Sequence, residues 1–228
     1  MPYWRTAIAT LACVLGSIAV PAHAGQRELK RAHDTLRVLT QIMMAPDSRI
    51  PASLMRNAYA IAVIPDVLKV GLVFGGRRGE GLISVKTPDD TWSNPSFITL
   101  TGGSVGFQIG VQSTDVILVF RTQRGVDSIV HGKFTLGADA SVAAGPVGRD
   151  AHAATDAQLK AEIYSYSRSR GLFAGVSLSG AVLGIDHDAN HAVYGQGATP
   201  RRIFAGKVGS VPNPFVDFRD RLEEYTAR

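Results

Sequence analysis

The chain has 228 residues, with 24 lysines and arginines against 19 aspartates and glutamates, a formal charge of +5. Its 45% hydrophobic content is that of a folded protein rather than a disordered tail. The single cysteine, Cys13, excludes an internal disulfide framework and a cysteine zinc site, and 24 glycines exceed the ordinary share of about 7% without a collagen period, so the fold has to account for them.

Residues 1–24 read as a secretory signal. Arg5 is the positive end, residues 7–20 carry no charge, and Ala22-His23-Ala24 has the small-x-small pattern of a cleavage site. Cleavage there leaves a 204-residue chain without cysteine, exported to a periplasm or cell envelope. Lipidation at Cys13 is the weaker alternative, because Thr10 is a poor start for that motif and apolar residues continue beyond the cysteine. The remainder contains no apolar run near the ~20 residues a bilayer span requires, and residues 25–228 read as one domain.

From 26 to 44, Leu29, Ala32, Leu36, Leu39 and Met43 recur at helical spacing, with Arg27, Lys30, Arg31 and Arg37 off that stripe. Pro51 is placed to open a second helix that Pro65 ends. The texture then changes to β-rich runs at 67–74, 81–86, 96–100, 105–111, 116–121 and 133–142, several separated by turn signals such as Gly75-Gly76, Pro88-Asp89-Asp90 and Gly102-Gly103. Glycines inside the strands imply sharp bends or close backbone approach. The expected fold is therefore α+β: N-terminal helices, then a glycine-rich, mainly antiparallel, strongly coiled sheet, barrel- or sandwich-like. A helix inserted at 153–166, with Leu159, Ile163 and Tyr166 at helical spacing, and a C-terminal helix at 214–228, with Phe215, Phe218, Leu222 and Tyr225 on one face, complete it.

Candidate chemistry is sparse. Gly102-Gly103-Ser104-Val105-Gly106 fits the G-x-S-x-G nucleophile pattern, but Ser104 leads into a strand rather than the helix that motif requires. Asp186, His187, Asp188 and His191 offer four potential ligands, yet the segment reads as a solvated turn, so no metal and no cofactor are expected. Gly75-Gly76-Arg77-Arg78-Gly79-Glu80-Gly81 reads as a hairpin tip, with an anion site held by its backbone amides and two guanidiniums as the alternative. No basic stretch is interleaved with aromatics, so nucleic acid is not an expected partner.

Laid out in order, several blocks carry a resemblance. They are Ala60-Ile61-Ala62-Val63-Ile64-Pro65, Lys69-Val70-Gly71-Leu72-Val73-Phe74-Gly75-Gly76, Gly79-Glu80-Gly81, Trp92-Ser93-Asn94-Pro95, Gly103-Ser104-Val105-Gly106-Phe107-Gln108-Ile109-Gly110 and the run from Tyr164 to Leu178. In this order the chain resembles the SYLF-domain family, yeast actin-patch-like lipid-binding domains. The resemblance implies a non-enzymatic module for anionic membrane phospholipids, with phosphoinositide-type head groups in eukaryotic members and actin binding in some fungal ones. The implied lipid-binding positions are Arg27, Lys30, Arg31 and Arg37, with Arg77 and Arg78 as a second contact. Leu36, Leu39, Ile42 and Met43 are the side chains available to enter a membrane interface, or else to pack as core. The alternative reading is a protein-interaction module that docks actin or another envelope or host protein.

Overall fold

A computed structural model of the chain describes residues 22–45, 49–71, 74–105, 110–147, 160–169, 172–175 and 178–227. Residues 1–21 of the expected export segment, and 153–159 of the expected inserted helix, lie outside these.

Helix α1 (Ala22–Met44) is followed by a short α2 (Ala52–Arg56) and then by four long strands, β1 (Ala60–Gly71), β2 (Phe74–Val85), β3 (Ser96–Val105) and β4 (Gly110–Phe120). After α3 (Gln123–His131) come β5 (Phe134–Thr135), β6 (Val142–Ala144), β7 (Ile163–Ser169), β8 (Leu172–Gly175) and β9 (Val182–Ile185). Helices α4 (His187–Tyr194), α5 (Pro200–Phe204) and α6 (Asn213–Thr226) complete the described order. The strands form one sheet, ordered β5-β9-β3-β2-β1-β4-β7-β6, with β8 paired to β7. Among the described strands only β6 and β7 pair in parallel, besides an isolated parallel bridge between Leu136 and Ala140. The sheet curls into a half-barrel, in line with the strongly coiled α+β fold expected.

Both faces of the sheet are covered, which is why β1 reads as a continuous apolar run. Ile61 and Val63 point to the face packed by α1, α4 and α6, while Ala60, Ala62 and Ile64 point to the face packed by Val126 and Ile129 of α3. Phe97, Tyr194 and Phe215 meet with ring centroids 5.5 to 6.5 Å apart and tie β3, α4 and α6 together.

Four local expectations are corrected. Strand β1 begins at Ala60, and Pro65 lies inside it, at a bulge that gives β1 one extra residue against both β2 and β4. A bulge is where a strand tolerates proline, since the ladder there needs no N–H. The Gly75–Gly81 segment is not a hairpin tip but part of β2, paired with β3 throughout and with β1 from Gly75 to Arg78, the rest lying opposite the bulge. Ile163 and Tyr166 lie on strand β7; the helix described between β segments is α3, and α4 and α5 follow the last described strand. His187 and His191 belong to α4, whose N-cap Asp186 accepts a hydrogen bond from the Ala189 amide at 3.1 Å.

The stripe that α1 buries is also rotated from the expected one. It runs Glu28, Arg31, Ala32, Thr35, Val38, Leu39 and Ile42, whereas Leu29 and Met43 are only partly buried beside it. A hydrophobicity count places Arg31 outside; the fold places it inside because two carboxylates await it there.

Candidate functional site

Glu80 stands between Gly79 and Gly81 on β2, beneath the N-terminal half of α1. Its carboxylate accepts from Arg27 Nη2 at 2.5 Å and from Arg31 Nη2, and Arg78 Nη2 lies 3.7 Å from its other oxygen. Arg31 completes its fork with Asp186 Oδ2 at 3.0 Å and lies over the Phe97 ring, 5.2 Å from the centroid. One carboxylate thus gathers three guanidiniums from two elements, and the buried one, with its side chain 6% exposed, pins α1 to β2 and to the start of α4. Burial alone would raise the Glu80 carboxyl, but the Arg27 hydrogen bond and the Arg31 and Arg27 charges outweigh it and hold the group below its ordinary value. Farther along α1, Lys30 Nζ at 2.5 Å and Arg37 Nη2 at 3.3 Å share Asp34. Burial would likewise raise that carboxyl, and the two cations lower it below the usual range.

Arg27, Lys30, Arg31 and Arg78 surround an open cleft of about 340 Å³, floored by Leu68 and Asp66. Beyond it the end of the sheet is apolar and exposed. Leu68, Val70 and Val111 are 44%, 47% and 68% exposed. Val70 is opposite Val111 in the β1–β4 register, and Leu68 opposite Arg78 in the β1–β2 register. Facing pairs and alternate residues share a side of the sheet, so these four form one patch on the α1 side. Lys69 and Arg77 form a cross-strand pair on the other side, where Arg77 Nη2 donates to Gly103 O at 3.2 Å.

The sequence model of the Ysc84 family, described as Las17-binding protein actin regulator, matches residues 101–225, more than half of the chain. The chain belongs to the Ysc84 family. LAS seventeen-binding protein 3 of Saccharomyces cerevisiae is 40% identical over 184 residues, covering 79% of this chain and 39% of that protein. Protein YSC84 of the same yeast is 38% identical over 190 residues, covering 81% and 40%. SH3 domain-containing YSC84-like protein 1 of Homo sapiens is 34% identical over 206 residues, covering 88% and 59%. The chain therefore spans about two-fifths to three-fifths of the length of these relatives. The first of these names, like the family description, is that of a binding protein, and the SYLF resemblance read from the motifs falls on this same family.

In this Ysc84-family domain the expected lipid-contact residues separate into three groups. Arg27, Lys30, Arg31 and Arg78 come together around the cleft, Arg37 does not line it but pairs with Asp34 at its edge, and Arg77 faces the opposite side. Of the side chains set aside for a membrane interface, Leu39 and Ile42 are fully buried in the core and Leu36 and Met43 are partly buried. The stripe packs as core here because α1 faces α4 and α6, and Phe215, Phe218 and Leu222 of α6 need the same surface. Ser104 pairs with Gly75 in the β2–β3 ladder, so the strand-to-helix elbow of a hydrolase is not formed. Leu68, Val70 and Val111 escaped the sequence reading. The trace they left is apolar residues on both faces of 67–70, which a strand covered on one side does not need.

Proposed function

We propose that this Ysc84-family domain is a non-enzymatic docking module whose protein partner seats on the exposed end of β1 and β4. The observation that carries this reading is the patch of Leu68, Val70 and Val111 beside Arg78 and Arg27: contiguous apolar side chains left in water and rimmed by charge are typical of an interaction surface. Actin and a Las17-type regulator are the partners to try first, since the family description names both. Purified chain should pellet with actin filaments, and Val70→Asp combined with Val111→Asp should abolish pelleting while the circular dichroism spectrum is kept. Undiminished pelleting of the double variant would refute the docking surface.

A second reading, peripheral attachment to anionic phospholipid, is favoured by the exposed cations Arg27, Lys30 and Arg78 next to the same apolar patch. Each basic residue at an anionic leaflet contributes about 1 kcal/mol, so three give about 3 kcal/mol before Glu80 and Asp34 are set against them. That is weak alone, and insertion of Val70 and Val111 would have to add to it. This route keeps α1 in place, whereas insertion of Leu39 and Ile42 requires the helix to leave its core. Vesicle flotation separates the two: equal binding to neutral and anionic vesicles, or no loss in about 0.5 M salt, removes the electrostatic reading. Export through residues 1–24 belongs to the same proposal and makes an envelope or host protein the physiological partner. N-terminal sequencing of the protein recovered from its source should begin at Gly25.

A further inference from the structure

A second cleft, of about 370 Å³, lies between the turn that follows α4 and the turn that follows α5, and its size is within the range of small-molecule sites. Arg202 and Lys207 line it. Both are exposed, and neither side chain has a hydrogen-bond or ion-pair partner among the described residues. No carboxylate lines the cleft, and the chain carries no aspartate or glutamate between Asp188 and Asp217. Arg201 is not part of the site, because its Nη2 lies 2.5 Å from His131 Nε2 on α3.

The backbone brings the two cations together. Lys207 N donates to Arg202 O at 2.8 Å and Gly206 N to Ile203 O at 3.0 Å, with Gly206 at a φ of +65°. These are the paired bonds of a Schellman turn closing α5, and they put Arg202 at C3 and Lys207 at C″. Those two positions ordinarily hold apolar side chains that pack on each other. Here they hold like charges, which repel with no carboxylate between them. The Arg202 and Ile203 carbonyls, which would attract cations at a helix C-terminus, are already engaged by the turn. The turn is held in place, since Ile203 is fully buried and Thr199 caps α5 by accepting from Arg202 N. On the opposite wall the buried Tyr194 is fixed by its hydroxyl, which donates to Pro95 O at 2.6 Å. Gln196, Gly197, Val208 and Gly209 also line the cleft, and their amides donate to no acceptor among the described residues.

We propose that this cleft binds the phosphate group of a small phosphate ester, which bridges Arg202 and Lys207 and accepts further hydrogen bonds from the free amides of the two turns. An arginine fork matches two phosphate oxygens and a lysine adds a point charge, so a dianion replaces the repulsion of the pair by attraction to both. Unpaired amides on glycine-containing turns are donors of the kind that hold phosphates. The cleft shares no residue with the docking patch or with the cleft around Arg27, and neither proposal depends on the other.

The test titrates the full chain with inorganic phosphate and with glycerol phosphate at constant ionic strength, following backbone amides by NMR, with chloride as the control. Saturable shifts are expected at Gln196, Gly197, Val208 and Gly209. The Arg202→Gln, Lys207→Gln double variant should weaken them at least ten-fold while its ligand-free spectrum stays folded, since both side chains are exposed and the turn is held by backbone bonds. Lys207→Gln alone should weaken them as well, and it decides the matter if the double variant does not fold. Flotation on phosphatidylcholine vesicles carrying phosphatidic acid identifies the source of the phosphate. Flotation that the double variant loses assigns a lipid head group, whereas no flotation, or flotation that the double variant keeps, assigns a free phosphate ester. Shifts that chloride reproduces, that do not saturate, or that persist in the variants overturn the proposal.

Discussion

Replacing Gly81 by alanine tests how β1 crosses β2. The bulge at Pro65 and Asp66, where Asp66 takes a φ of +48°, swings β1 over β2 so closely that a Cβ on Gly81 would lie 2.2 Å from Val63 O and 2.8 Å from Ile64 Cα. A carbon needs about 1 Å more than that from a carbonyl oxygen, and the obstacle is backbone held in ladders on two sides, which no rotamer change relieves. Overpacking costs typically about 1–3 kcal/mol, and a backbone obstacle places Gly81→Ala at the upper end, near 3 kcal/mol. For a domain of this size that lowers the melting temperature by about 6–12 °C. Gly103→Ala is the internal control, because nothing lies within 4 Å of its added methyl, and it should be neutral or slightly stabilising. Thermal and urea unfolding by circular dichroism measure both. Equal melting temperatures for the two variants would refute the close crossing and, with it, the explanation of the Gly79-Glu80-Gly81 spacing.

Three further outcomes follow from the α1 clamp and its surroundings. Glu80→Gln removes the negative charge that three arginines share and turns one of its acceptor oxygens into a donor amide, but leaves Arg31 its bond to Asp186, so unfolding should become easier by about 2 kcal/mol, below the full cost of breaking a buried pair, and the urea midpoint reads it. Glu80 and Asp34 are both held below their ordinary values, so their contribution is complete above the unfolded carboxylate range of about 4 and is lost as pH falls through the lower folded values. Urea midpoints should therefore drop below about pH 4, and the drop should shrink in Glu80→Gln; an unchanged acid profile would disprove the pairing. Asn190, fully buried, accepts from Phe97 N at 3.0 Å and donates to Ser96 Oγ at 3.1 Å. Asn190→Leu orphans a buried amide and should cost about 2–3 kcal/mol in the same unfolding assay, and a change under 0.5 kcal/mol would mean that the amide finds another acceptor.

Much of the architecture was legible in the chain. Helical periodicity marks α1 and α6, glycine-punctuated apolar runs mark the long strands, and the Pro88-Asp89-Asp90 turn stands where Asp90, at a φ of +61°, donates its amide to Thr87 O. These features depend on local geometry, which neighbouring residues set. The ordered motifs carried the family for the same reason, since each glycine reports a local demand of the backbone. What sequence periodicity misjudged depends on partners distant in the chain. Arg31 reads as a surface cation until Glu80, 49 residues on, and Asp186, 155 residues on, close around it. His187 and His191 read as turn residues until α4 packs on α1 and β3, and Ile163 and Tyr166 read as helical until β4 gives them a ladder. The exposure of Val70 and Val111 follows only from the meeting of β1 and β4. Local chemistry fixed which elements form, and long-range pairing decided which of their charged and apolar faces remained available to a partner.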